Sequence, residues 1–146
     1  MFNSKNKWLL CIFVVLGGCK DDPVDFPVEP KIEIVSLTPV TAQQYTDHLV
    51  LSIRYEDGDG DLGENNELVK NCFVTDNRTG TTSSFRIEQL APTGASIPIT
   101  GLVNIGLGGQ IITDNSAQQS ATFSVYVVDR SGHQSNTSNA TVTIIR

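Results

Sequence analysis

His48-Leu49-Val50-Leu51-Ser52-Ile53-Arg54-Tyr55-Glu56 runs directly into Asp57-Gly58-Asp59-Gly60-Asp61-Leu62-Gly63. In the first half, Leu49, Leu51, Ile53 and Tyr55 fall on one side of an extended chain. Val50, Ser52, Arg54 and Glu56 fall on the other, which is the period-two pattern of a half-buried strand. In the second half, aspartates alternate with glycines, which let the backbone bend sharply and take positive φ between the acids. Two carboxylates about 4 Å apart repel by roughly 4 kcal/mol at an effective dielectric near 20. Three so close together either extend into water or gather around a cation. Hard oxygen donors at this density suit Ca²⁺, which takes 6–8 of them, better than Zn²⁺, which prefers nitrogen and sulfur.

Asp57, Asp59 and Asp61 are therefore candidate metal ligands. Asp129, at the end of another strand-like run, is the candidate from a neighbouring loop, and Glu56, Glu64, Asn65 and Asn66 lie nearer in sequence. The spacing matches the first ligand positions of an EF-hand loop, but Leu62 stands where that loop needs glycine and Leu68 occupies its twelfth position. No helical pattern flanks it, so it is not an EF-hand. The alternative is a bare acidic turn, since Asp-Gly is also a common turn dipeptide.

Outward from this stretch, loose or clean alternation predicts further strands at residues 31–38, 71–75, 84–90, 102–107, 121–129 and 140–145. Pro39, the polar turn 76–80, Gly108-Gly109 and Arg130-Ser131-Gly132-His133 punctuate them. Seven short strands with turn signals between them, and no window of helical periodicity, predict an all-β, single-domain antiparallel sandwich over residues 31–146.

The chain has 146 residues and a formal charge of −6, enough for one domain with a core and the wrong sign for nucleic acid. Lys5 and Lys7 precede the short apolar run 8–16, too short to span a bilayer but of signal-peptide length. Of the three cysteines, Cys11 lies in this leader and Cys19 at its end, so Cys72 has no partner for an internal disulfide and reads as a small buried apolar side chain. Residues 20–30 hold three prolines and four acids, an extended, semi-stiff spacer.

Leu16-Gly17-Gly18-Cys19 resembles the lipobox of bacterial lipoproteins. The resemblance implies that residues 1–18 are a signal peptide, that cleavage precedes Cys19, and that Cys19 carries lipid. Lys20-Asp21-Asp22 resembles the export signal of Bacteroidetes-type surface lipoproteins, which implies an outer-membrane anchor facing the cell exterior. Residues 19–30 are then the lipidated cysteine and its acidic, proline-rich linker. Phe123-x-Val125-x-Val127-x-Asp129-x-x-Gly132 resembles the penultimate strand and turn of immunoglobulin-like and fibronectin-III-like domains. More narrowly, the loop at 57–63 and Asp129-Arg130-Ser131-Gly132-His133-Gln134-Ser135-Asn136 together resemble a group of small Bacteroidetes surface lipoproteins with Ig-like domains. His133 departs from that group, which usually has asparagine there.

Catalytic patterns are weak. Gly106-Leu107-Gly108-Gly109 lacks the lysine and following helix of a phosphate loop, and neither His48 nor His133 has ligand spacing to another histidine or cysteine. No Gly-x-Ser-x-Gly elbow is present. The expected function is a lipid-anchored, non-enzymatic binding or adhesion module stiffened by Ca²⁺, with a protein or glycan partner. An accessory lipoprotein of an envelope uptake or secretion complex is the alternative, and a small hydrolase using Asp57 or Asp129 the third.

Overall fold

The computed structural model describes residues 26–146. The leader, Cys19, Lys20-Asp21-Asp22 and the first half of the spacer lie outside the described residues. Within them every regular element is a strand: β1 (Lys31–Thr38), β2 (Thr41–Gln43), β3 (His48–Asp57), β4 (Cys72–Asp76), β5 (Thr81–Phe85), β6 (Ile99–Gly109), β7 (Gln118–Val127) and β8 (Ser138–Ile145). They form a three-stranded sheet, β1-β3-β6, and a five-stranded sheet, β2-β8-β7-β4-β5. The apolar faces of both contribute to one core.

Alternation places that core as the sequence predicts. Leu49, Leu51 and Ile53 of β3, Phe123, Val125 and Val127 of β7, and Val142 and Ile144 of β8 are all buried. Each such side chain withdraws apolar surface worth about 1.5–3 kcal/mol from water. Tyr55 lies across its cross-strand partner Gly101, where any side chain would collide with the ring. Outside the core, Phe73 and Tyr126 stack on the opposite face with ring centroids 5.0 Å apart.

Two expectations are corrected. The all-β class holds, but there are eight strands among the described residues rather than seven, and the pairing of β2 with β8 is parallel. After Pro39 the chain leaves the sheet of β1 and lays Thr41–Gln43 along the edge of the other sheet. The strand predicted at 84–90 is instead β5, ending at Phe85. Ile87 is buried, but its backbone is held by a side chain: Ile87 N–H donates to Asn71 Oδ1 (2.6 Å) and Asn71 Nδ2 donates to the Ile87 carbonyl (3.0 Å).

Strand register sorts the loops into two poles. Lys31 pairs with Glu56, and Asp57 with Ile99, so the start of β1, the end of β3 and the start of β6 share one pole with the end of β7. His48 pairs with Gly109 and Gln118 with Ile145, so the loops 39–47, 77–80 and 110–117 share the other. Asn136 ties the two sheets at the first pole, accepting the Ile32 N–H at Oδ1 (2.9 Å) and donating from Nδ2 to the Ile32 carbonyl (2.9 Å).

Cys72 is a free, fully buried thiol, and burial pushes its pKa up to about 12. The folded chain should therefore show no reaction of Cys72 with a thiolate-selective disulfide reagent at pH about 8, and full reaction in denaturant. Rapid labelling of the native protein at this residue would contradict the placement of β4.

Candidate metal centre

Asp57 ends β3 with its side chain fully buried. The chain then loops outward and returns at Leu62, which is also completely buried and plugs the core. The Leu62 N–H donates to Asp57 Oδ2 at 2.7 Å, closing the loop on itself. Leu62 sits here because this loop needs an apolar anchor, not the glycine of an EF-hand. Gly60 and Gly63 adopt positive φ (72° and 97°), where other residues are strained, and each lies against a carbonyl, of Ile97 and Glu88 respectively.

Asp129 follows β7 from the adjoining strand end. Its carboxylate is fully buried and braced by the turn it opens: the His133 N–H donates to Oδ1 (2.8 Å) and the His133 Nδ1–H to Oδ2 (2.9 Å). The same turn grips the acidic loop. Ser131 donates to Asp61 Oδ2 from its N–H (3.0 Å) and its hydroxyl (2.6 Å), and Arg130 Nη1 donates to the Gly63 carbonyl (2.8 Å).

Asp57, Asp59, Asp61 and Asp129 converge, each offering one carboxylate oxygen, and these four atoms lie within 4.8 Å of one another. Asp57 Oδ1, Asp59 Oδ1 and Asp61 Oδ1 are buried without a hydrogen-bond partner. Unpartnered buried polar atoms are rare in native proteins, and each costs about 1–3 kcal/mol or more when charged. At a separation of about 5 Å, each pair of carboxylates adds roughly 3 kcal/mol of repulsion at an effective dielectric near 20. Arg130 in the turn is engaged with a carbonyl, and His133 contacts Asp129 alone among the four. Burial, together with Asp59 and Asp61, pushes the Asp57 carboxyl up to about 6, against the opposing Leu62 hydrogen bond. The cluster can hold a metal ion, and its donors are all oxygens.

All four ligands expected from sequence are thus brought together. The nearer alternatives are not among them. Glu56 is on β3, Glu64 accepts the Asn66 N–H (2.9 Å), Asn65 reaches Gln89 (2.6 Å), and Asn66 accepts the Leu68 N–H (3.0 Å). His48 is exposed at the opposite pole. His133 is not a free surface residue: it orients Asp129, and that contact raises its pKa. Ser131 and His133 carried no separate signal in sequence beyond the turn Arg130-Ser131-Gly132-His133.

Comparison with known proteins finds no matching family model, no matching curated protein and no matching solved structure. Function therefore rests on the geometry. A cavity of about 120 Å³ lined by Asp129, Glu64, Val69, Asn71, Val128 and Arg130 has room for a few waters, and Asp57 is sealed in the core. A cavity of about 260 Å³ lies nearer the other pole, beside Arg78. Arg78 there is saturated by Asp76, the Ile111 carbonyl and Gln119.

Without a cation, the folded chain keeps a proton on Asp57 up to about pH 6, whereas the unfolded chain loses it near pH 3.8. The folded state binds more protons across that window, so stability falls as pH rises through it. The raised pKa of His133 acts in the same sense, its contribution being lost on deprotonation. In chelator, the melting temperature should drop by several degrees between about pH 5 and pH 7.5. A flat or rising profile would contradict the buried, like-charged cluster.

Proposed function

We propose that this chain is a non-enzymatic, lipid-anchored binding or adhesion module at the outer membrane, facing the cell exterior, with an Ig-like sandwich braced by one Ca²⁺. The observation that carries this reading is the convergence of four carboxylates with three buried, unpartnered oxygens. Oxygens coordinated to Ca²⁺ at 2.3–2.6 Å stand up to roughly 5 Å apart across the ion, which accommodates a cluster spread over 4.8 Å. Opposed ligands of Mg²⁺, at 2.0–2.1 Å, stand only about 4 Å apart. The absence of sulfur or imidazole from the donor set disfavours zinc.

The Ig-like reading is supported by the partition into β1-β3-β6 and β8-β7-β4-β5, with the first strand passing to the second sheet as β2. With an anchor at Cys19, the metal pole is the one through which the chain arrives, and the opposite pole stands farthest from the membrane. That far pole exposes Val40, Tyr45 and Ile111, and Tyr45 holds a left-handed backbone (φ 64°). These side chains are the surface offered to a protein or glycan. The accessory-subunit reading draws on β6. This edge strand of 11 residues carries no charge or proline and is free to accept a strand from a partner. A hydrolase draws little support, because Asp57 is sealed in the core and the cavity beside Asp129, of about 120 Å³, has room for only a few waters.

Saturating Ca²⁺ should stabilise the mature chain over chelator by about 2.7 kcal/mol at a hundredfold excess over Kd, a shift of about 5–10 °C. Asp59→Asn should abolish most of that shift. Equal melting temperatures with Ca²⁺ and with chelator would rule out the ion. Separately, Cys19→Ala should move the protein from the membrane fraction to the soluble one, and its retention in the membrane would defeat the lipid anchor.

A further inference from the structure

Gly58 stands between two of the four carboxylates, and its backbone does not need glycine. Unlike Gly60 and Gly63, it is not in the left-handed region. What it lacks room for is a side chain: a Cβ there would collide with the carbonyl oxygen of Phe26 and come 2.6 Å from that of Pro27. The Gly58 N–H donates to the same Pro27 carbonyl at 2.9 Å. The incoming linker is therefore laid directly over the backbone joining Asp57 to Asp59. Downstream, Pro30 is buried and Ile32 is clasped by Asn136, so the chain is fixed from residue 30 onward. Pro27, Val28 and Glu29 are exposed, and among the described residues Gly58 supplies the one backbone hydrogen bond that holds them.

We propose that the cation loop is also the dock of the tether, so that ion occupancy decides whether residues 26–29 are pinned to the domain or swing free. The inference rests on the reading of the cluster as a cation site. Asp57 and Asp59 both present an unpartnered oxygen, and their repulsion strains the peptides on either side of Gly58 that join them. Those peptides are the ones the linker rests on. A bound ion removes the repulsion, holds the 57–59 backbone in place, and with it the Pro27 bond. Coupling of two binding events is reciprocal, so a docked linker must in turn tighten the ion. A domain on a short tether would thereby stand rigidly in a cation-rich medium and pivot about residue 30 when the cation is withdrawn.

Hydrogen exchange on the full mature chain, with Ca²⁺ and with chelator, reads the donor end of the contact. The amide of Gly58, which donates to the Pro27 carbonyl, should exchange on the order of tenfold more slowly with Ca²⁺. In the same chain, Phe26→Gly with Pro27→Gly loosens the linker while leaving all four carboxylates, and Gly58→Ala blocks the dock from the other side. Both should weaken Ca²⁺ binding by a factor between about 5 and 150, measured by direct titration. Should Gly58→Ala fail to fold, the linker variant decides alone. If Ca²⁺ binds, yet Gly58 exchange is unchanged and the linker variant binds as tightly as the parent, the dock is refuted while the cation site stands. If the parent chain binds no Ca²⁺, the cation site itself is refuted and the dock with it.

Discussion

Four converging carboxylates, two of them fully buried and two half-buried, set the terms for this pole of the domain. Left alone, Asp57, Asp59, Asp61 and Asp129 repel, and three of their oxygens find no donor. The surrounding architecture works against that repulsion rather than yielding to it. Leu62 is driven into the core, Ser131 holds Asp61, and His133 holds Asp129. Leu62 and Ser131 each use one oxygen of a carboxylate and leave the other unpartnered, whereas His133 contacts both oxygens of Asp129. Such an arrangement can hold a metal ion.

The sandwich supplies what the seven-residue loop 57–63 cannot. β3 delivers Asp57 from the three-stranded sheet and β7 delivers Asp129 from the five-stranded one, so an ion at their meeting point ties the two sheets together. Asn136 makes the same kind of tie between β1 and the turn after β7, and Asn71 between β4 and the loop at Ile87. Long loops at this pole are held by side chains bonding to backbone rather than by more strand. That is why the five-residue stretch after Phe85 is ordered without pairing.

Much of this was legible in the sequence because burial on one face writes itself as alternation. Leu49, Leu51 and Ile53, or Phe123, Val125 and Val127, have no other economical explanation. β2 was not legible: three residues with only Ala42 buried leave no period to read. Residues 84–90 misled because Phe85 and Ile87 alternate as a strand would, whereas Asn71 takes the ladder bonds of Ile87. At the site, the aspartates could be read from charge crowding and Asp129 from its place at a strand end. The roles of Ser131 and His133 depend on a distant loop folding against them. Gly58 looked like a bend and is a contact with the linker, a fact no local pattern carries.

The most direct test is the stoichiometry of Ca²⁺ taken up by the chelator-stripped mature chain in equilibrium dialysis, alongside Asp57→Asn and Asp129→Asn. The account predicts one ion per chain, with affinity sharply reduced in both variants although the two residues come from different sheets. No uptake, or uptake indifferent to Asp129, would contradict it.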